Sequence, residues 1–236
     1  RINTDAIDNS AGVDCSDHEV NIKVLFNAMP EKIERLQRDQ ILRQMTDEVA
    51  HLVLQDNYRQ TLILSILQMV DISGLNTYQS LIKSLEAEEN LDRTIEFLPD
   101  DEQIERRLAK SQGLTRPELA VLLAYSKIHL YNRLLQADVL DKPSFRRLLL
   151  AYFPTYIQEN YVEAVFAHPL RREIISTVIA NELINRVGPT FIHEICRANG
   201  LQIHQVVEAF FIATQLLKLD EMWASIDALD DKMITS

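Results

Sequence analysis

The sequence has 236 residues, of which 47% are hydrophobic and 25% are charged, and its formal net charge is -11. This composition fits one or two globular domains, while the absence of any apolar run near the roughly 20 residues that cross a bilayer argues against a membrane protein. The acidic charge opposes nucleic-acid binding. The two cysteines exclude a disulfide framework and fit a reducing cytoplasm, and the five scattered glycines exclude a glycine-rich dinucleotide-binding turn.

The first 16 residues carry small side chains and carboxylates without regular apolar spacing, and we predict an irregular, loosely held segment there. Small residues at 9–12 would let a ligand approach the backbone at the start of a helix. Ser16 and Glu19 have the spacing of a capping box, which predicts a helix from about 17 to 28. The abrupt start without methionine leads us to expect a fragment or a processed form.

From residue 17 onward, apolar residues recur at the period of an α-helix. Thr115, Pro117 and Glu118 form a strong helix-start signal, and Gly200 is placed to end a helix in the left-handed conformation. Only Leu91 to Phe97 has a pattern compatible with extended chain. Further helices are predicted over 31–55, 58–71, 75–89, 100–111, 116–137, 143–165, 169–198 with a break near Gly188, and 201–219, with a short one in the acidic segment 220–236.

Two other patterns allow a binding function. The residues around Gly113 and Gly200 have helix-turn-helix spacing, but the helices that follow them carry few basic residues, so tight corners in a bundle explain the spacing better. Asp14, Asp17, His18 and Glu19 match no ligand spacing of a dedicated metal site, and His193 with Cys196 provides only two ligands. We therefore predict neither DNA binding nor a metal site.

The opening string NTDAIDNSAGVDCSDHEVNIK resembles the end of the catalytic region of the large bacterial NAD-specific glutamate dehydrogenases. Asn9 precedes Ser16 by seven residues and Glu19 by ten, as in the corresponding motif of amino-acid dehydrogenases. The strings MTDEVAHLVLQDNYRQTL (45–62) and GLTRPELAVLLAYSKI (113–128) resemble stretches that follow the catalytic region in that group. The chain departs from the shorter enzymes at Ser10-Ala11 and at Asp17.

The resemblance implies that Asn9 faces the nicotinamide end of the cofactor cleft and that Ser16 binds a carboxylate of glutamate. It also implies NAD as the cofactor of the full enzyme, a cytoplasmic location, no nucleic-acid or membrane partner, and contact with the rest of the polypeptide in a homo-oligomer. No catalytic residue is assigned, because the nucleotide-binding turn, the catalytic lysine and the proton-transferring aspartate are expected upstream; Lys23 is interpreted as an ordinary exposed lysine. The predicted fold is an all-α multi-helix bundle (30–236) preceded by a short non-regular edge of an α/β catalytic domain (1–29).

Two functions are left open by these observations. The first is a C-terminal, structural, oligomerising or regulatory part of an enzyme that converts L-glutamate and NAD to 2-oxoglutarate, ammonium and NADH; the isolated fragment would be inactive, because one wall of a cleft cannot hold cofactor and substrate together. The second is a stand-alone helical interaction module without a catalytic role.

Overall fold

The computed structural model describes residues 3–70 and 74–233, and every regular element in these ranges is helical. The all-α prediction is therefore confirmed for this part of the chain. The ends of two predicted helices, residue 71 and residues 234–236, lie outside the described residues, as do residues 1 and 2. The helices are α1 (Asp5–Asp8), α2 (Ser10–Ala28), α3 (Arg35–Val70), α4 (Leu75–Glu89), α5 (Asp101–Ala109), α6 (Arg116–Leu135), α7 (Arg146–Tyr152), α8 (Thr155–Asn160), α9 (Val162–Phe166), α10 (Arg171–Val187), α11 (Phe191–Asn199), α12 (Ile203–Leu216) and α13 (Leu219–Met233).

The helix α6 lies at the centre of the bundle, where it packs against α3, α4, α10 and α12. Leu119, Leu122 and Leu134 on this helix are completely buried, which explains why its sequence is apolar nearly all round. A buried helix cannot enter a DNA groove, so the corner between α5 and α6 is a packing corner.

Several predicted helix ends are confirmed. The helix α6 starts with a reciprocal capping box between Thr115 and Glu118, with proline in its first turn. The predicted break near Gly188 separates α10 from α11, and Gly188 has a φ of 84° that favours glycine. Gly200 ends α11 in the left-handed conformation, with a φ of 65°.

The predicted break between residues 55 and 58 is wrong, because α3 continues from Arg35 to Val70. Asp56 and Asn57 favour turns when their side chains bond locally. In the folded chain both have distant partners: Asp56 accepts hydrogen bonds from Asn181 and Asn185, and Asn57 donates to the carbonyl oxygen of Ile7. These tertiary contacts remove the reason for a break.

Two further predictions are wrong in detail. The segment predicted as one helix over 143–165 contains a 3-10 turn at Pro143–Phe145 followed by α7, α8 and α9. Pro154 explains the first interruption, because it forces Phe153 into an extended conformation (φ −89°, ψ 151°). The Leu91–Phe97 stretch is a turn rather than a strand, in which Asp92 Oδ1 accepts hydrogen bonds from the N–H groups of Thr94 and Ile95.

Within the described ranges, no helix is both long enough and apolar enough to cross a membrane.

Candidate functional site

Asn9, directly before α2, and Ser16, within α2, lie on one exposed side of this helix, which we call the outer face of α2. Positions 9, 13, 16, 20 and 23 fall on the same side of a helix with 3.6 residues per turn. Val13 and Val20 are 57% and 48% exposed there, although valine is usually buried. The outer face therefore combines polar groups with exposed apolar surface, and it consists of Asn9, Val13, Ser16, Val20 and Lys23.

Asn9 lies at the junction of α1 and α2, where it ends the first helix and precedes the second. Its side chain is exposed and makes no capping hydrogen bond, so the amide is available to an external partner. A Cβ atom at Gly12 would lie 3.0 Å from Asn9 Oδ1, so glycine leaves space for this amide. The Asn9 carbonyl oxygen accepts hydrogen bonds from Gly12 and Val13, so these two N–H groups are not free for a ligand.

Ser16 lies inside α2 rather than at its start, so the predicted Ser16–Glu19 capping box is wrong. The helix begins six residues earlier, at Ser10. The side chain of Ser16 is exposed, and its hydroxyl has no hydrogen-bond partner among residues 3–70 and 74–233. Glu19 instead pairs with Lys23 one turn later, and both side chains are more than half exposed, which agrees with an ordinary surface role for Lys23.

The segment before Ser16 is helical and packed, which corrects the expectation of an irregular, loosely held edge. Ile7 is 1% exposed and belongs to the main hydrophobic core, and its carbonyl oxygen accepts a hydrogen bond from Asn57 on α3 at 3.0 Å. The side chains of Asn3 and Asp8 bond to each other, and Asn3 also accepts from Arg116 on α6. Anchoring to α3 and α6 fixes the position of Asn9.

The inner side of α2 is held by a partly buried polar network. Tyr152 Oη donates to Asp17 Oδ2 at 2.7 Å and accepts from Asn21 Nδ2 at 2.8 Å. His168 is fully buried; its Nδ1 accepts from the N–H of Leu170 and its Nε2–H donates to the carbonyl oxygen of Asn21, both at 3.0 Å. Burial lowers the pKa of His168, so the ring stays neutral, as this bonding pattern requires. The network fixes the rotation of α2 and so keeps its outer face exposed.

A second group of charges lies next to this network. Burial, reinforced by the charge of Asp56, raises the pKa of Asp14 to about 6, and Asp14 Oδ2 is buried without a hydrogen-bond partner in the described part of the chain. Burial lowers the pKa of Lys127 to about 8, although Asp56 and Asp14 favour its charged form. Groups with strongly shifted pKa values are typical of functional sites, but networks of charged residues with a purely structural role also produce such shifts.

Asp14 and Asp17 also line a cavity of about 500 Å³ between α2, α3, α7 and α10. His18 lies at the same cavity with its ring stacked on Tyr152, the ring centroids being 4.4 Å apart, and its Nδ1 is buried without a partner among the described residues. Val13 of the outer face also lines this cavity, so the cavity adjoins the outer face and the polar side of α2 opens into it.

Replacing Asp14 with asparagine is expected to stabilise the chain at pH 8 by about 1 kcal/mol, a value reduced for the attraction to Lys127 and for partial exposure. The folded pKa of about 6 lies above the ordinary value of 3.8, so the native state opposes ionisation and Asp14 reduces stability as the pH rises through this interval. The gain should therefore largely disappear at pH 4. Urea unfolding of both chains at the two pH values measures it, and a lower stability of the variant at pH 8 would contradict this interpretation.

Comparison with known families gives two matches along the chain. The family model described as "Glutamate dehydrogenase, C-terminal" matches residues 111–236, and the model described as "Bacterial NAD-glutamate dehydrogenase, catalytic domain" matches residues 1–67. The chain belongs to the glutamate dehydrogenase C-terminal family. The outer face of α2 lies within the part that matches the catalytic-domain family, and α6 to α13 lie within the C-terminal match.

Curated relatives carry the same name. The chain is similar to NAD-specific glutamate dehydrogenases of Halomonas elongata (41% identical over 235 residues), Pseudomonas aeruginosa (43% over 230) and Mycobacterium tuberculosis (39% over 230). These alignments cover 99%, 97% and 97% of the chain, which spans only 15%, 14% and 14% of the relatives' own lengths. No solved structure matches the chain. The predicted family is thus confirmed.

The contacts of the inner polar residues of α2 were not predicted from the sequence. Asp14, His18 and Asn21 follow each other at helical spacing on the side opposite Ser16, and polar residues at positions that face a core indicate a buried network. Tyr152, which contacts His18 and Asn21, and His168, which bonds to Asn21, come more than 130 positions later in the chain, so no local pattern reveals these contacts.

Proposed function

We propose that this chain forms one wall of the catalytic cleft and the helical C-terminal part of an NAD-specific glutamate dehydrogenase. The full polypeptide would oxidise L-glutamate to 2-oxoglutarate and ammonium, with NAD accepting the hydride. Family membership and the names of the three relatives support this proposal. The observation that carries it is the outer face of α2, which presents Asn9 and Ser16 together without partners in the described part of the chain.

The geometry of the outer face suits two adjacent parts of one cleft. Asn9 and Ser16 are seven residues apart, which is two turns and roughly 10 Å along a helix axis. An amide can both donate to and accept from the nicotinamide carboxamide, while the Ser16 hydroxyl can donate to a carboxylate of glutamate. The exposed Val13 and Val20 offer apolar contact on either side of the serine.

Catalysis itself needs residues from elsewhere in the polypeptide. The outer face of α2 offers hydrogen-bond donors and apolar contact, but this face alone does not hold glutamate and NAD in a fixed position relative to each other. The 236-residue chain alone is therefore expected not to reduce NAD with glutamate. Its contribution is to position one wall, which the Tyr152–Asp17–Asn21 network holds in place.

The remaining helices, from residue 30 onward, act as a brace in this proposal. The proposed division into 1–29 and 30–236 falls in the non-helical residues 29–34, but α2 packs against α3 and the catalytic-domain match extends to residue 67, so α3 belongs with the wall as well as with the brace. In the full polypeptide the brace would contact the catalytic domain and further copies of the chain in a cytoplasmic homo-oligomer. The alternative, a helical interaction module without a catalytic role, draws support from exposed apolar side chains on α12 and α13, namely Ile212, Leu216, Met222, Ile226 and Leu229.

Replacing Asn9 with alanine in the full-length protein should raise the KM for NAD about fivefold, the effect of losing one neutral hydrogen bond of about 1 kcal/mol. NADH formation with L-glutamate at saturating and limiting NAD measures this. Asn27→Ala is the matched control, because Asn27 is an exposed asparagine on the same helix, roughly 27 Å from Asn9 along the axis. An unchanged KM for NAD in Asn9→Ala would remove the cofactor assignment. A full-length protein that does not reduce NAD with glutamate would overturn the proposed function.

A further inference from the structure

A second cavity, separate from the outer face of α2, lies between α4, α6 and α11. Its volume is about 300 Å³, at the lower end of the range for small-molecule sites, roughly 300–1,000 Å³. The inner part of its lining is aliphatic and buried, with every side chain at most 6% exposed. This part consists of Leu81, Leu85, Leu130, Ile184 and Ile192.

One polar group stands out in this apolar lining. Ser126 on α6 is 5% exposed, and its hydroxyl has no hydrogen-bond partner within residues 3–70 and 74–233. A helical serine can usually bond to the carbonyl oxygen four residues earlier, but Ser126 does not. A buried hydroxyl without a partner is unfavourable unless a ligand satisfies it. Among the buried side chains that line the cavity, only Ser126 thus offers a hydrogen-bonding group.

The outer part of the cavity carries a cation without a counterion. Arg197 is exposed and forms no ion pair with any described residue; its guanidinium donates only to Ser80 Oγ, at 3.0 Å. His193, one turn earlier on α11, is 2.9 Å from the same hydroxyl through Nε2. Arg197 and His193 therefore lie on the same side of α11, where an incoming anion would meet both.

The carboxylate in this cavity is already neutralised. Glu88 accepts hydrogen bonds from Ser84, at 2.8 Å, and from Arg133. Its Oε2 also lies 3.9 Å from His129 Nε2. Hydrogen bonds from Arg133 and Ser84 outweigh the effect of burial and hold the pKa of Glu88 below its ordinary value, so Glu88 remains charged but paired. Glu88 therefore does not act as a counterion for Arg197, and that role is left to a ligand.

We propose that this cavity binds a short aliphatic monocarboxylate whose chain carries one neutral oxygen, either a hydroxyl or a carbonyl. The carboxylate bonds to Arg197 and His193, the methylene groups contact the leucine and isoleucine side chains, and the neutral oxygen reaches the hydroxyl of Ser126. A dicarboxylate such as glutamate or adipate is excluded, because its second charge would enter the apolar part without a counterion. The site is thus chemically distinct from the proposed glutamate site at Ser16.

Cys196 provides a reporter inside the cavity, and Cys15 on α2 is a reference outside it. The test uses the full-length protein and measures the alkylation rates of the two thiols by peptide mass spectrometry. The probes are 4-hydroxybutyrate, 6-hydroxyhexanoate, hexanoate and adipate, each up to roughly 10 mM, a range that detects even weak binding. At least one hydroxy acid is expected to slow alkylation of Cys196 several-fold without changing the rate at Cys15.

Three variants test the assigned contacts. Ser126→Ala should weaken the hydroxy acid about fivefold and leave hexanoate unchanged, and it should fold normally because the lost hydroxyl has no partner. Arg197→Gln should weaken both acids about tenfold or more, since the lost contact is charge-assisted. Arg43→Gln, at an exposed arginine of α3 that is outside the cavity, should change neither.

The proposal is overturned if none of the probes protects Cys196, if adipate protects it as well as the hydroxy acids, or if Ser126→Ala affects hexanoate and the hydroxy acid equally. Glutamate oxidation by the same preparation is measured separately. If no probe protects Cys196 while the preparation still oxidises glutamate, only this site is rejected. If a hydroxy acid protects Cys196 but the preparation does not oxidise glutamate, only the proposed function is rejected.

Discussion

Replacing Glu118 with alanine is expected to lower the free energy of unfolding by about 3 kcal/mol, one of the largest effects of a single substitution in this chain. The carboxylate is 8% exposed and receives two hydrogen bonds from Arg107, at 2.7 and 2.8 Å. It also accepts from the N–H of Thr115 at the start of α6. Alanine would leave the half-buried guanidinium of Arg107 and the N-terminus of α6 without their hydrogen-bond acceptor. The helix α6 lies at the centre of the bundle.

Urea unfolding of Glu118→Ala measures this effect, with Glu102→Ala as the control. Glu102 pairs with Arg106 on α5, but both side chains are more than 60% exposed, so its loss should change stability by less than about 0.5 kcal/mol. Burial alone would raise the pKa of Glu118, but hydrogen bonds from Arg107 and Thr115 keep it below the ordinary value. The contribution of this carboxylate is therefore present above the ordinary pKa of 4.5 and lost as the pH falls through the lower folded value. Equal stability losses for the two variants would contradict the argument from burial.

Replacing Ser16 with alanine in the full-length protein is expected to raise the KM for glutamate about 10- to 100-fold. A hydrogen bond to a charged group contributes about 1.5–3 kcal/mol, which corresponds to this range. The hydroxyl has no partner in the described part of the chain and its side chain is exposed, so its removal should not disturb α2. The KM for NAD should change little, because the nicotinamide contact is assigned to Asn9.

Ser225→Ala is the matched control for Ser16→Ala. Ser225 is an exposed helical serine on α13 whose hydroxyl bonds to the carbonyl oxygen of Glu221. Its replacement should leave both KM values unchanged. If Ser16→Ala behaves like Ser225→Ala, Ser16 does not bind the substrate carboxylate.

The helices that depend on local signals were predictable. Thr115, Pro117 and Glu118 mark the start of α6, and the periodic apolar residues that follow them predict the helix over 116–137. The ends of α10 and α11 follow from Gly188 and Gly200, whose positive φ values suit glycine. In each case the responsible residues are adjacent in sequence to the feature that they produce.

The elements that were mispredicted depend on distant partners. The helix α3 continues through Asp56 and Asn57 because residues of α10 and α1 form hydrogen bonds with their side chains. The helix α2 begins at Ser10 rather than after Ser16, in a segment that the buried Ile7 ties to the core. A capping-box spacing at Ser16 was locally plausible, but it could not reveal that these contacts extend the helix.

The roles of Asn9 and Ser16 stay predictions from the resemblance, whereas the geometry of the face that carries them comes from the structure. The spacing of Asn9 and Ser16 and the resemblance to glutamate dehydrogenases identified two positions in an expected loop. Because the segment is helical, a separation of seven residues places both on one face, next to two exposed valines. The network that orients this face joins residues more than 130 positions apart, and the sequence alone does not show it.

The central claim is that the outer face of α2 forms a wall of the cleft that binds glutamate and NAD. The most direct test is the alkylation rate of a Val20→Cys variant of the full-length protein, with and without NAD and 2-oxoglutarate, compared with Ser225→Cys. Val20 lies one turn after Ser16 on the same face. The two ligands together are expected to slow the reaction at position 20 about tenfold or more and to leave position 225 unchanged. Equal rates at position 20 with and without ligands, in a preparation that oxidises glutamate, would contradict it.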